Sequence, residues 1–131
     1  MTHQTKITQI LACAIIAFVS LAGLSGCLGD DLKALETTGI ELSNVADGQY
    51  EGKQDTSLVK VTVLVTVKDH AITDIRVTRH VNGKGKKAEA IVADVIAKQT
   101  TKVDTVSGAT GSSMVILKAI ENAIAAAANG Q

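Results

Sequence analysis

Hydrophobic and polar positions alternate most regularly in VKVTVLVTVK, Val59 to Lys68. Val59, Val61, Val63, Val65 and Val67 share one face; Lys60, Thr62, Thr66 and Lys68 share the other, with Leu64 among them. A period of two built from β-branched residues predicts a half-buried strand. After Asp69-His70, the run AITDIRVTRHV predicts the antiparallel return, because so short a connection suits a hairpin and not a parallel crossover. In it Ile75, Val77 and Val81 share a face and Asp74, Arg76, Thr78 and His80 the opposite one, with Ile72 out of phase. Upstream, Asp47-Gly48 supplies a turn into a short strand.

The period then lengthens. In Lys86 to Lys98, Ala88, Ile91, Val92, Val95 and Ile96 recur at helical spacing and predict an amphipathic helix. Val103 to Val106 is a short extended segment. Ser112 to Ala127 carries Ile116, Leu117, Ile120, Ala123, Ile124 and Ala127 as an apolar stripe, and alanine at that density favours helix intrinsically. Hairpin followed by two helices gives an α+β domain over residues 47–128: a small antiparallel sheet whose valine face is covered by two packing helices.

The N-terminus has a different pattern. Lys6 precedes a mostly apolar run, Ile10 to Val19, that continues to Leu24 and is broken by Ser20, Gly23, Ser25 and Gly26. This is the form of an export signal over residues 1–26, and too interrupted for a permanent membrane span. Leu24-Ser25-Gly26-Cys27 resembles the lipobox of bacterial lipoproteins, in which the cysteine thiol receives a diacylglyceryl group and becomes the mature N-terminus. The alternative is an ordinary cleaved signal with a chance cysteine. The resemblance implies a lipid anchor at Cys27 on the extracytoplasmic face of a bacterial cell membrane. Residues 27–46, mixed and rather acidic, then read as a tether with a short helical turn at Asp31 to Glu36, or as a segment packed on the domain. Cys13 would leave with the signal, so the domain needs no disulfide.

Composition excludes several classes of function. The chain has 13 basic and 13 acidic residues, so there is no basic excess for nucleic acid. Proline is absent, and Tyr50 is the one aromatic beyond the signal, so stacking platforms for bases or sugars are nearly missing. His70 and His80 have no cysteine or second histidine cluster to suggest a metal, and no Ser-His-Asp arrangement presents itself.

Chemistry concentrates in DTVSGATGSS, Asp104 to Ser113. The stretch precedes the last helix, whose start presents unpaired N–H groups and a partial positive charge suited to phosphate. Gly108 and Ala109 leave room for a ligand to approach the backbone, and Gly111 can adopt angles closed to other residues. One reading is a loop in which Thr110 or Ser112 caps the helix. The other is covalent attachment of a phosphate-bearing cofactor through one hydroxyl.

Asp104, Ser107-Gly108-Ala109-Thr110 and Ser112 resemble the D-x-x-S/T-G-A-T-x-S/T motif of the FMN-binding domain family. That family includes flavin-carrying subunits of the sodium-translocating NADH:quinone reductase and of the bacterial electron transport complex. Asp47 to Gly52 is similar to the family's opening DGxYxG, and Val61 to Val77 to its hairpin, so the resemblance spans Asp47 to Ala127. It implies FMN joined by a phosphodiester to Thr110 by a flavin transferase that takes FMN from FAD. Ser107 and Ser112 become candidate phosphate donors or ordinary loop hydrogen-bonders. Asp104 would order the loop, help the transferase, or form an Asx-turn. Tyr50 would pack beside the flavin or anchor the first strand. The segment after the second strand departs from the family's pattern at His80-Val81-Asn82-Gly83, leaving His80 as a flavin neighbour or a solvated strand end.

The expectation is a membrane-tethered electron carrier more than a stand-alone enzyme, exchanging electrons with a membrane or extracytoplasmic redox protein. The alternatives are a redox-inactive lipoprotein that binds a protein or a small phosphorylated ligand, and the electron-entry module of a separate reductase.

Overall fold

The computed structural model describes residues 35–81 and 85–130. Strands β1 (Gly48–Asp55), β2 (Lys60–Lys68) and β3 (Ala71–Val81) form one antiparallel sheet in the order β1-β2-β3. Gly85–Ala90 is a 3-10 helix that runs into α1 (Ile91–Lys98), and an irregular segment leads to α2 (Thr110–Ala128). The α+β architecture is as the hydrophobic pattern predicts. Val61, Val63, Val65 and Val67 are fully buried along β2, and Ile91 and Val95 of α1 and Ile116, Ala119, Ile120 and Ala123 of α2 join them in one core. No described helix is long and apolar enough to cross a membrane.

Two backbone features set the sheet's geometry. Asp69 and His70 have φ of 51° and 58°, the left-handed pair of a type I′ hairpin turn, whose twist matches that of the strands. The Asp69 N–H donates to Asp47 Oδ1 at 2.8 Å, fastening this turn to the entrance of β1. At Gly52 a Cβ would lie 2.0 Å from the Ala119 carbonyl oxygen and 2.7 Å from the Ala123 nitrogen, so α2 crosses β1 at backbone contact. The second glycine of DGQYEG is therefore a packing requirement.

Along β3 the strict alternation fails, and the reason is a pair of bulges. Thr66 pairs with Asp74 and Val67 with Ile72, leaving Thr73 extra; Thr62 pairs with Arg79 and Val63 with Val77, leaving Thr78 extra. Each extra residue reverses which face the following side chains take. The Thr73 and Thr78 hydroxyls donate to the carbonyls of Thr66 and Thr62, at 3.3 and 3.2 Å. Ile72 and Ile75 consequently both point into the core. Beyond Thr78, Val81 is 48% exposed instead of sharing the core face. His80, opposite buried Val61, is not a solvated strand end: its side chain is 3% exposed and its Nδ1 lies 2.9 Å from Glu89 Oε1.

The first part of the expected helix over residues 86–98 is the 3-10 segment. Gly85, Ala88 and Ile91 are buried at intervals of three, the repeat of a 3-10 turn, before Val95 takes up α spacing. Gln99 ends α1 in the left-handed region, φ 53°. Its side-chain amide accepts from the Ile72 N–H at 2.7 Å and donates to the Ile72 carbonyl at 2.9 Å, as a neighbouring strand would.

Of the two readings of residues 27–46, packing is the one seen for the described part. Leu35 and Val45 are buried in the core, and Ile40 and Leu42 pack on it. These apolar residues follow neither the helical nor the strand period, because the segment is irregular and touches the core at separate points. The export signal, Cys27 and most of the helical turn expected at Asp31 to Glu36 lie outside the described residues.

Candidate functional site

Val106-Ser107-Gly108-Ala109 form a tight turn, closed by the Ala109 N–H donating to the Val106 carbonyl at 2.9 Å. Gly108 has φ of +74°, the position in a type II turn that favours glycine. Buried Ser113 locks the turn onto α2. Its Oγ accepts from the Val106 N–H at 3.0 Å and donates to the Ala109 carbonyl at 3.0 Å, while its own N–H makes the first helical bond, to the same carbonyl at 2.9 Å.

The expected cap is not formed. The N-cap residue is Ala109, without a side-chain capping bond, and Thr110 and Ser112 lie inside the first turn. The helix starts at Thr110, two residues before the Ser112 start expected from its apolar stripe. The N–H groups of Thr110, Gly111 and Ser112 therefore precede the first helical bond with no side chain across them.

Around these amides the motif residues divide by exposure. Thr110, Gly111, Ser107 and Asp104 are exposed, and Ala109 is buried in the core, so its small size serves packing as well as access. Ser112 is 7% exposed as a residue, but its hydroxyl oxygen is not sealed from solvent and has no hydrogen-bond partner among the described residues. The same is true of the Thr110 hydroxyl, and Asp104 forms no Asx-turn bond. Tyr50 is engaged elsewhere: its hydroxyl donates to the Ala46 carbonyl at 2.8 Å and its ring packs against the core, the strand-anchoring role.

One cation joins the site that the sequence reading passed over. A Cβ placed on Gly108 would lie 2.8 Å from Lys87 Nζ, so the ammonium stands over the glycine of the turn. Lys87 belongs to the 3-10 segment, and among the described residues no carboxylate pairs with it. Its sequence signal is the basic run Gly83 to Lys87, whose last two lysines open the helix expected over residues 86–98. Two open concavities lie elsewhere. An open groove of about 290 Å³ between Thr38–Glu41 and the Lys118–Ala128 part of α2 contains none of the motif residues.

Residues 59–125 match the model of the FMN-binding domain. The chain belongs to the FMN-binding domain family. No curated protein matches it. The matched span takes in β2, β3, α1, the Ser107–Thr110 turn and most of α2, whereas β1, with Tyr50 and Gly52, precedes it.

The phosphate end of FMN fits the residues present. This FMN-binding domain offers three uncapped amides, an unbonded Ser112 hydroxyl, the Lys87 ammonium, and at Gly108 a cradle that a side chain would fill. Such a set is suited to an anion at a helix start. The motif's own residues offer no aromatic surface to the ring end.

Proposed function

We propose that this FMN-binding domain carries FMN covalently, through a phosphodiester to Thr110, and serves as a lipid-anchored extracytoplasmic electron carrier. The support for attachment is the Thr110 hydroxyl: exposed, free of hydrogen bonds to the described residues, and set beside uncapped amides in a turn that Ser113 holds in place. In the attachment step the Thr110 oxygen bonds to the phosphorus on the FMN side of FAD, the pyrophosphate bond breaks, and AMP leaves. The hydroxyl proton passes to a base on the flavin transferase. The amides at the start of α2 then face the remaining negative charge of the diester. Bound FMN supplies electron transfer, to and from a membrane or extracytoplasmic redox partner.

A covalent link has a physical rationale outside the cytoplasm, where a dissociated cofactor diffuses away. Cys27 would supply the anchor, since lipid chains contribute roughly 0.8 kcal/mol per buried CH2 and stable anchoring takes more than one of them. An exposed attachment residue suits electron exchange between proteins better than catalysis on an enclosed small substrate.

Co-expression with a flavin transferase and FAD tests the attachment. Intact mass should rise by one FMN residue and the band should fluoresce in a denaturing gel, with both signals lost in Thr110→Val. Fluorescence retained by Thr110→Val rejects that residue as the acceptor. A mature N-terminal peptide beginning elsewhere than Cys27, without a diacylglyceryl group, rejects the anchor.

A further inference from the structure

We propose that Lys87 is the cationic partner of the phosphodiester on Thr110, holding the flavin's phosphate against the start of α2. This rests on the attachment proposed above. The ammonium stands over Gly108, two residues before the acceptor, in the space that a side chain there would occupy. The chain around it is fixed, because Gly85 and Ala88 are buried on either side while Lys86 and Lys87 remain exposed. Lys87 is thus an exposed charged tip on an anchored stem. No carboxylate among the described residues claims it, so it can turn to a new anion without breaking an ion pair.

Charge balance favours such a partner. A phosphodiester keeps one negative charge, which the amides of Thr110, Gly111 and Ser112 and the Ser112 hydroxyl can meet with hydrogen bonds but cannot neutralise. The Ser112 hydroxyl is unbonded and open to solvent in a helical turn that lacks any capping side chain. A lysine supplies a compact charge on a flexible stem, and so accommodates an anion whose position is set by the covalent bond. Gly108 then has two roles, the turn's positive φ and clearance for the ammonium.

The test labels surface amines of the flavin-bearing protein, with Thr110→Val from the same cells as the flavin-free control. Intact mass first establishes loading; a wild-type protein that takes up no flavin overturns the attachment and this inference together. With loading established, Lys87 should acylate several-fold more slowly in the flavin-bearing protein, while neighbouring Lys86 reacts equally in both. Equal reactivity of Lys87 in the two proteins overturns its role and leaves the attachment standing. A 31P spectrum gives a second readout that a merely structural role would not move. The diester resonance should shift in Lys87→Gln, return towards the wild-type position in Lys87→Arg, and in the wild type approach the Lys87→Gln position at high salt. A resonance unmoved by Lys87→Gln also overturns the proposal.

Discussion

Ser113 is fully buried, and one oxygen there serves two backbone groups: it takes the Val106 N–H and gives its proton to the Ala109 carbonyl. Ser113→Ala leaves the Val106 N–H without that partner, and a buried polar group left unsatisfied costs about 1–3 kcal/mol. Urea unfolding of the flavin-free protein should show that loss, whereas Ser112→Ala, whose hydroxyl is bonded to nothing described, should unfold close to the wild type. Gly108→Ala belongs with Ser113: at φ +74° a Cβ brings the left-handed penalty of about 1–2 kcal/mol, visible in the same unfolding curves. The motif was legible in sequence as a set of residue types, but not in its division of labour. Two adjacent serines look alike on paper, and only the turn's path decides which bonds the backbone and which stays unbonded. Lys87 was hidden for a similar reason, since sequence distance from Gly108 carries no sign that the 3-10 segment brings its ammonium there.

The elements themselves followed from periodicity wherever one face is buried throughout. β2 alternates without interruption and its valines are buried as the alternation requires, and the stripe on α2 predicts its core face. β3 was legible only in part, because a period-two pattern cannot reveal an inserted residue; Ile72 standing out of phase with Ile75 was the visible trace of the Thr73 bulge. Contacts between elements were less legible still, and two glycines test this. Gly52 faces the backbone of α2, which cannot give way as a side-chain tip could, so Gly52→Ala must push helix and strand apart. Overpacking of this kind costs typically about 1–3 kcal/mol, and the midpoint of denaturant unfolding should fall accordingly. Gly111 has nothing within 4 Å of a Cβ and lies in α2. Gly111→Ala should stabilise the flavin-free domain by roughly 0.5–1 kcal/mol, because alanine loses less backbone freedom on entering a helix. A destabilised Gly111→Ala would mean that the first turn of α2 differs from the one described.

At the scale of the whole molecule, the strand and helix pattern places the start of the domain at Asp47, while residues from Leu35 onward form one compact unit. The join is made by Glu121, a 6% exposed carboxylate on the inner side of α2 that sequence reading leaves among the polar positions. Its Oε1 accepts from the Gly39 N–H and the Thr101 hydroxyl, each at 2.8 Å, and its Oε2 from Lys118 Nζ at 3.1 Å and the Thr38 hydroxyl at 3.4 Å. One side chain thereby ties the segment before β1, the approach to the Ser107–Thr110 turn, and α2 to each other. A chain beginning at Leu35 keeps Leu35, Val45 and all four contacts of Glu121. Removal through Ala46 should act quite differently. It takes away Val45, whose full burial contributes about 1.5–3 kcal/mol, together with Leu35 and two of the four donors to Glu121. Against a total stability of roughly 5–15 kcal/mol for a domain, that is a large fraction, and the shorter chain should unfold at markedly lower urea. Amide exchange localises the effect: around Thr101 and in α2 near Glu121 protection should drop most, whereas the β2–β3 hairpin keeps its order of protection. If the chain beginning at Asp47 unfolds at the same urea concentration as the one beginning at Leu35, then residues 35–46 are a tether after all.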